Sequence, residues 1–500
     1  MRFPILAALA AAAVVAAPAL AQPAASGPVL CEDGFAAGEY PCQHVELLSH
    51  VSLDDFDSDA GSGHWGWTDP RDGREYALMG LADGTGFVDI TDPTAPVYLG
   101  KLPTHTVPSI WRELKVLGHY ALIVSEAERH GMQVFDLHQL RDVDRAAAPV
   151  TFRATAHYDG VGQSHNVAAN DDTRRAFIVG SRAATGCAGG IHILDMADPL
   201  NPTFAGCFAD DGYTHDLVCL TYDGYDRRYA GREVCVASNE NVVTIVDVTD
   251  PEDTRMLSQV IYPNIGYTHQ GWFTEDHRYF VVNDELDEMR YGHNTRTLLF
   301  DFTDLQNPQY LGDYFGPTRA VAHNLYVRGN MVYMANYRRG LEIARIDDAR
   351  GAAMTHVAHF DSFPEDDATQ FAGAWNVYPF YESGTVTIAD MNRGLFMVRP
   401  YRPEPLTVAA LSGRRNATGA VVSLRLERDD LEHVAIEREE DGRFVDVARA
   451  RTEPERLAYD LAADLAAGTH TLRVRGLDRD GFAVYSAPQA VTVEAALGAR

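Results

Sequence analysis

Four histidines recur at one position near the start of short apolar runs: His165, His215, His269 and His323, spaced 50, 54 and 54 residues apart. Imidazole is a ligand that borderline divalent ions favour, and zinc takes three or four such donors at about 2 Å. Acids stand at a second recurring position, as Glu126, Glu240, Asp284 and Glu285. A carboxylate beside a metal-bound water can act as general base, so this pattern could hold a divalent ion (Zn, Mn, Cu or Ca) in a hydrolase or lyase. The same positions allow a different chemistry. Trp65 and Trp375 offer indole platforms, and Arg112 and Asn336 offer polar contacts, for an extracellular glycan, peptide or protein ligand. The expectation placed first is a binding or scaffold protein, with the metal-dependent enzyme as its alternative.

A plainer reading of these residues stands beside both. A repeated His can tie its own repeat to a neighbouring turn, with the following Asn166, Asp216 and Asn324 as partners. Large aromatics usually serve burial, and acidic hairpins are usually solvated.

The elements that must position these side chains come from an internal repeat of about fifty residues. Other copies begin at His64, and copies with Arg112 or Trp375 at the His position bring the number to seven. Each copy has three apolar runs, a turn such as ITDPTAP (Ile90 to Pro96), MADPLNP (Met196 to Pro202) or FTDLQNP (Phe302 to Pro308), and a fourth run. Asp opens such turns by bonding the backbone and Pro presets its own φ, so the segment joins strands three and four. Four strands per copy predict an all-β, seven-bladed β-propeller. The last copy ends at its third strand, Leu395 to Arg399, while Leu47 to Val51 resembles the fourth strand Met256 to Val260. An N-terminal strand is therefore expected to close the ring and remove its open edges. In such a ring the first strands begin on one face and the hairpins between strands two and three return to it. The His, acid and Trp residues should then meet in one basin, where only neighbouring blades are close enough to share an ion.

The expected boundaries are a signal peptide at 1–21, an N-terminal segment at 22–42, the propeller at 43–400 and a linker at 401–405. A fibronectin type III-like β-sandwich of about seven strands follows at 406–495. Arg2, the apolar run Ile5 to Ala17 and the small residues of Ala19-Leu20-Ala21 mark the export signal. Export makes disulfides the natural reading of the six cysteines, which allow 15 connectivities; proximity suggests Cys31–Cys42, Cys187–Cys207 and Cys219–Cys235. The expected location is periplasmic, secreted or cell-surface, with no C-terminal anchor recognised. No later apolar run is long enough to span a bilayer, so no membrane insertion is expected after signal removal. Forty-two basic against 71 acidic residues give a net charge of -29, which repels phosphate backbones and excludes nucleic acid as a partner.

Several chemistries are absent. No GxSxG elbow, HExxH helix, P-loop or dinucleotide fingerprint occurs in its required context. Asp55 to Gly61 spaces its acids like a calcium loop, but its Gly is one place late and Gly66 stands where the bidentate Glu belongs. That rejects an EF-hand and leaves a looser calcium site or a solvated loop.

The segments HWGWTDP (His64 to Pro70), FVDITDPTAPVYLGKL (Phe87 to Leu102), SEAERHGMQVFDL (Ser125 to Leu137), YTHQGW (Tyr267 to Trp272), NDELDE (Asn283 to Glu288) and ANYRRGL (Ala335 to Leu341) resemble the choice-of-anchor B family, built on LVIVD-type repeats. The resemblance covers about residues 30 to 400. It implies an exported bacterial surface protein with a variable C-terminal sorting signal and no known biochemical activity. The ending VTVEAALGAR departs from it, lacking the hydrophobic tail and basic cluster of such a signal.

Overall fold

The computed structural model describes residues 28–181, 186–416 and 418–494. The expected signal peptide, and residue 495 at the expected end of the sandwich, lie outside these. The described chain is all-β: strands dominate, and the helical elements are the short turns Leu53–Phe56, Leu137–Asp142 and Asp287–Tyr291.

Residues 45–400 build seven sheets, each with four antiparallel strands following one another outward; the first carries a fifth, Val150–Thr151, parallel to Val97–Pro103. Their first strands are Gly61–Thr68, Arg112–Leu117, Asn166–Asn170, Asp216–Thr221, Thr268–Phe273, Leu325–Arg328 and Ala374–Tyr378. The Asp of each turn before the fourth strand accepts from a backbone N–H two residues on, as at Asp92, Asp198 and Asp304. The fourth strand then bulges against the third, as at Phe87/Val88 and Leu299/Phe300. Gly100 and Gly312 sit in these bulged strands at φ near +150°, and a Cβ at Gly100 would lie 2.0 Å from the carbonyl oxygen of Val150. Glycine is required there.

The seventh sheet takes its fourth strand from the N-terminal side: Val45–Ser52 pairs with Gly394–Pro400. The sequence expected this strand at Leu47 to Val51. Upstream, Tyr40–Gln43 and Phe35–Ala36 extend the sixth sheet, and the Cys31–Cys42 disulfide ties them together.

Inner strands such as Glu75–Leu81, Val243–Asp247 and Met331–Ala335 are buried along their whole length, and successive side chains point to opposite faces, so both faces of these sheets are covered. Each pair of consecutive sheets shares one buried core. Phe87 meets Phe135 between the first and second, and Ile245 and Phe300 lie in the core between the fourth and fifth. The core of Leu48, Met397 and Met79 lies between the seventh and the first, so the order of sheets closes on itself. The first strands likewise touch their neighbours in a closed cycle and bound a channel.

From Leu406 onward, two further antiparallel sheets face each other across one core that includes Val422, Leu424, Ile436 and Val474. They hold eight strands where the sequence suggests about seven, the short Ala483–Tyr485 among them. Residues 401–405 do not run free between the two parts. Tyr401 bridges Ala483, Arg402 pairs with Asp478 and Asp480, and Leu406 bonds Tyr485. The sandwich also docks on the ring of sheets: Tyr333 donates to the Asp480 carbonyl at 2.5 Å, and Arg475 to that of Ser383 at 2.8 Å.

The other two disulfides are Cys187–Cys207 and Cys219–Cys235, the pairs that proximity suggests, and all six cysteines are bonded. Such complete pairing belongs to a chain folded in an oxidising compartment. No described helix is long and apolar enough to cross a membrane.

Candidate functional site

The four recurring histidines meet at one end of the channel. Their rings adjoin in series, tilted to one another, with centroids 4.0 Å apart for His165 and His215, 4.4 Å for His215 and His269, and 4.3 Å for His269 and His323. Each lies at or just before the start of its sheet's first strand, and that shared register brings the imidazoles into line. His215 donates from Nδ1 to the carbonyl of His269 at 3.2 Å, and His323 from Nδ1 to that of Trp375 at 2.5 Å. A carbonyl accepts only from N–H, so His215 and His323 are fixed as the tautomer whose Nε2 keeps its lone pair.

For His215 and His323 the structural reading is therefore right in kind and wrong in partner: the tie runs to the next sheet's backbone, not to the residue that follows. Asn166 instead donates to Asp216, and Asn324 to the Trp375 carbonyl.

Glu285 completes the group. One carboxylate oxygen lies 3.7 Å from His269 Nε2 and the other 3.8 Å from His323 Nε2, while Tyr337 donates its hydroxyl to it at 2.8 Å. One ligand atom each from His215, His269 and Glu285 lie within 4.8 Å of one another. Small side-chain rotations would bring them to the separations of roughly 3.3 Å that bonds of about 2 Å around a tetrahedral ion require. Burial holds His215 and His269 well below their ordinary pKa and takes His323 to about 3, so these imidazoles are neutral, as metal ligands must be. Burial also pushes Glu285 up to about 7, against the pull of the Tyr337 hydrogen bond. Beside the trio, His165 Nδ1 and Glu126 Oε1 are 2.6 Å apart.

Other expected site residues do not join this group. Asp284 is wholly buried and accepts from Tyr262, Gly266 and Tyr267, so it fixes the loop and is no candidate base. Glu240 stays exposed beside Tyr267. Arg112 is buried and spends its guanidinium on the Leu81 carbonyl, Thr104 and His130, so it cannot reach a ligand. Asn336 is buried against Glu342. Trp375 is 5% exposed and donates to Glu113 at 2.5 Å, which makes it a packed wall of the cluster beside His323 and not an open platform. Trp65 lies deeper in the channel, against Trp272, Tyr326 and Tyr378. The Asp55 carboxylate caps the turn Leu53–Phe56 through Ser52 and is committed to that turn.

Glu113 and Tyr337 are the functional neighbours that sequence reading missed. Successive strand residues face opposite sides, so with Arg112 turned between sheets its neighbour Glu113 faces the channel. Glu113 is buried, which raises its pKa, and the Trp375 N–H and Lys115 oppose that rise. Tyr337 sits in the hairpin segment ANYRRGL, one residue past the position examined.

No family model matches the chain, and no curated protein matches it. Solved structures do align with it. The extracellular domain of a proposed hybrid two-component system from B. thetaiotaomicron is 11% identical, at a TM-score of 0.42, over 90% of this chain and 59% of that one. A functionally unknown protein from Desulfotomaculum acetoxidans is 11% identical at 0.41, over 66% and 94% of the two chains. A protein from Lactobacillus plantarum is 13% identical at 0.43, over 80% and 99%. The chain thus spans about three fifths of the length of the first of these.

Proposed function

We propose that the chain is an exported seven-bladed β-propeller bearing a fibronectin type III-like sandwich, of the choice-of-anchor B kind. Outside the cytoplasm, its channel mouth binds one divalent transition-metal ion. The observation that carries this reading is the trio His215, His269 and Glu285, with ligand atoms already within 4.8 Å of one another. Two imidazoles and one carboxylate suit zinc, with manganese and copper as competitors. They do not suit calcium, which takes oxygen ligands. Three protein ligands leave a fourth position for a water or for a group on a bound partner. The seven-bladed reading rests on the seven shared cores and on the pairing of Val45–Ser52 with Gly394–Pro400.

Zinc titration by calorimetry of the chelator-stripped protein tests the site. One zinc per chain is expected, with affinity at least tenfold weaker in His269→Ala and in Glu285→Gln at unchanged fold. Absence of binding, or equal binding by both variants, would refute it.

The Glu126–His165 pair supports a second reading, metal-dependent hydrolysis or lyase chemistry. It places a carboxylate and an imidazole 2.6 Å apart beside the trio, where they could accept a proton from a metal-bound water. Under that reading Glu126→Gln retains zinc and loses turnover of any substrate found by screening the zinc-loaded protein. Retained turnover would remove Glu126 from the role of base.

A further inference from the structure

At the opposite end of the channel from the histidines, a cavity of about 640 Å³ opens between the ring of sheets and the sandwich. Its size falls within the roughly 300–1,000 Å³ of small-molecule sites, and a junction between two folded units is a usual place for one. The ring contributes half-buried Trp65, Trp272 and Phe380 to its wall, and Lys115 Nζ sits 4.5 Å over the Trp65 ring. The sandwich contributes His433, which is 7% exposed. Neither ring nitrogen of His433 has a hydrogen-bond partner among the described residues, and the nearest carboxylate oxygen, Glu382 Oε2, is 3.8 Å away. A buried imidazole with both nitrogens unsatisfied costs free energy unless something in the cavity bonds it.

The lining is balanced in charge. Four cationic and four carboxylate side chains surround the space, and Arg328 and Glu432 pair across the junction at 3.3 Å. A charged ligand of either sign would meet as much repulsion as attraction. A wholly apolar ligand would leave both ring nitrogens of His433 without partners. A neutral molecule with an apolar face and many hydroxyls satisfies the indoles, the imidazole and the mixed polar rim together, because the C–H face of a sugar ring packs on aromatic faces.

We propose that this cavity is a binding site for a neutral carbohydrate, held against Trp272 and Phe380 and hydrogen-bonded by His433 and Lys115. The site is separate from the histidine cluster, so its occupancy does not depend on metal.

The test is calorimetry and tryptophan emission of the full mature chain in chelator. Neutral tetrasaccharides of glucose (β1,4 and α1,4), xylose, mannose and N-acetylglucosamine serve as probes, with tetragalacturonate and dodecanoate as charged and apolar controls. Saturable binding of at least one neutral tetrasaccharide with a change in emission is expected. Affinity should fall at least tenfold in Trp272→Ala and in His433→Gln, and less in Trp272→Phe, which keeps an aromatic face. His433→Gln lies on the sandwich rim and protects the test against a folding defect in Trp272→Ala. Binding of none of the neutral probes, binding of the controls alone, or affinity unchanged in both Trp272→Phe and His433→Gln would overturn the proposal.

Discussion

Two histidines of the channel mouth, His215 and His323, divide their work between their ring nitrogens: Nδ1 ties one sheet to the backbone of the next, and Nε2 is left for the channel, so the structural and chemical uses of the residue do not compete. His64, at the same repeat position in the first sheet, has both nitrogens committed. Its Nδ1–H donates to the Leu78 carbonyl at 2.8 Å and its Nε2 accepts from Thr387 at 2.5 Å. Burial lowers its pKa to about 4. The folded state therefore refuses a proton that the unfolded chain takes up below about pH 6.5, and the contribution of His64 to stability is present above that pH and lost as pH falls toward 4. His64→Gln should be less stable than the parent at pH 7. Denaturant titration should show that gap narrowing by on the order of 2 kcal/mol by pH 4.5. A gap that stays constant with pH would contradict the assignment. The identity of the four mouth histidines was legible in the sequence because their spacing repeats. Their acid partner was legible only as one of several, because Asp284 and Glu285 are adjacent and the backbone alone decides which of them turns into the loop.

At the scale of elements, the decisive piece is the strand Val45–Ser52, which precedes the first sheet in the chain and is used in the last. Leu47 is fully buried in the core shared by the sixth and seventh sheets. Leu47→Ala should cost about 2–5 kcal/mol, read as a shift in the midpoint of chemical denaturation with zinc stoichiometry unchanged. A shift under about 0.5 kcal/mol, the scale of a surface change, would show that this strand does not close the structure. The repeat, its turns and this closing strand could be read from sequence because each imposes a local pattern: period two, Asp and Pro at turns, and similarity between fourth strands. The direction in which Arg112 points could not. Aligning it with the histidines assumed a common facing, and a strand reverses facing at every residue, so Glu113 took the channel instead. Trp375 was misread for a related reason, since its indole turns inward to Glu113.

The whole molecule joins two units by buried polar contacts that no local pattern announces. Arg475 is 2% exposed and binds Glu437, Asp446 and the Ser383 carbonyl at once. Removing it would leave buried Glu437 with Arg473 alone and take away the Asp446 pair and the Ser383 contact, a loss of about 3–5 kcal/mol by comparison with other broken buried pairs. The parent should unfold in one calorimetric transition, and Arg475→Ala should split off an earlier one from the sandwich. A single transition at the parent's temperature would show that the contact does not couple the units. The proposed metal site at the far mouth should be indifferent to that change, since the residues that would hold the ion all come from the fourth and fifth sheets. The most direct test of that site is anomalous diffraction at the zinc edge from a crystal soaked in zinc. The account predicts one strong peak about 2 Å from nitrogens of His215 and His269 and a carboxylate oxygen of Glu285. No peak there, or a peak only at the outer group of His119, Asp136 and His138, would contradict it.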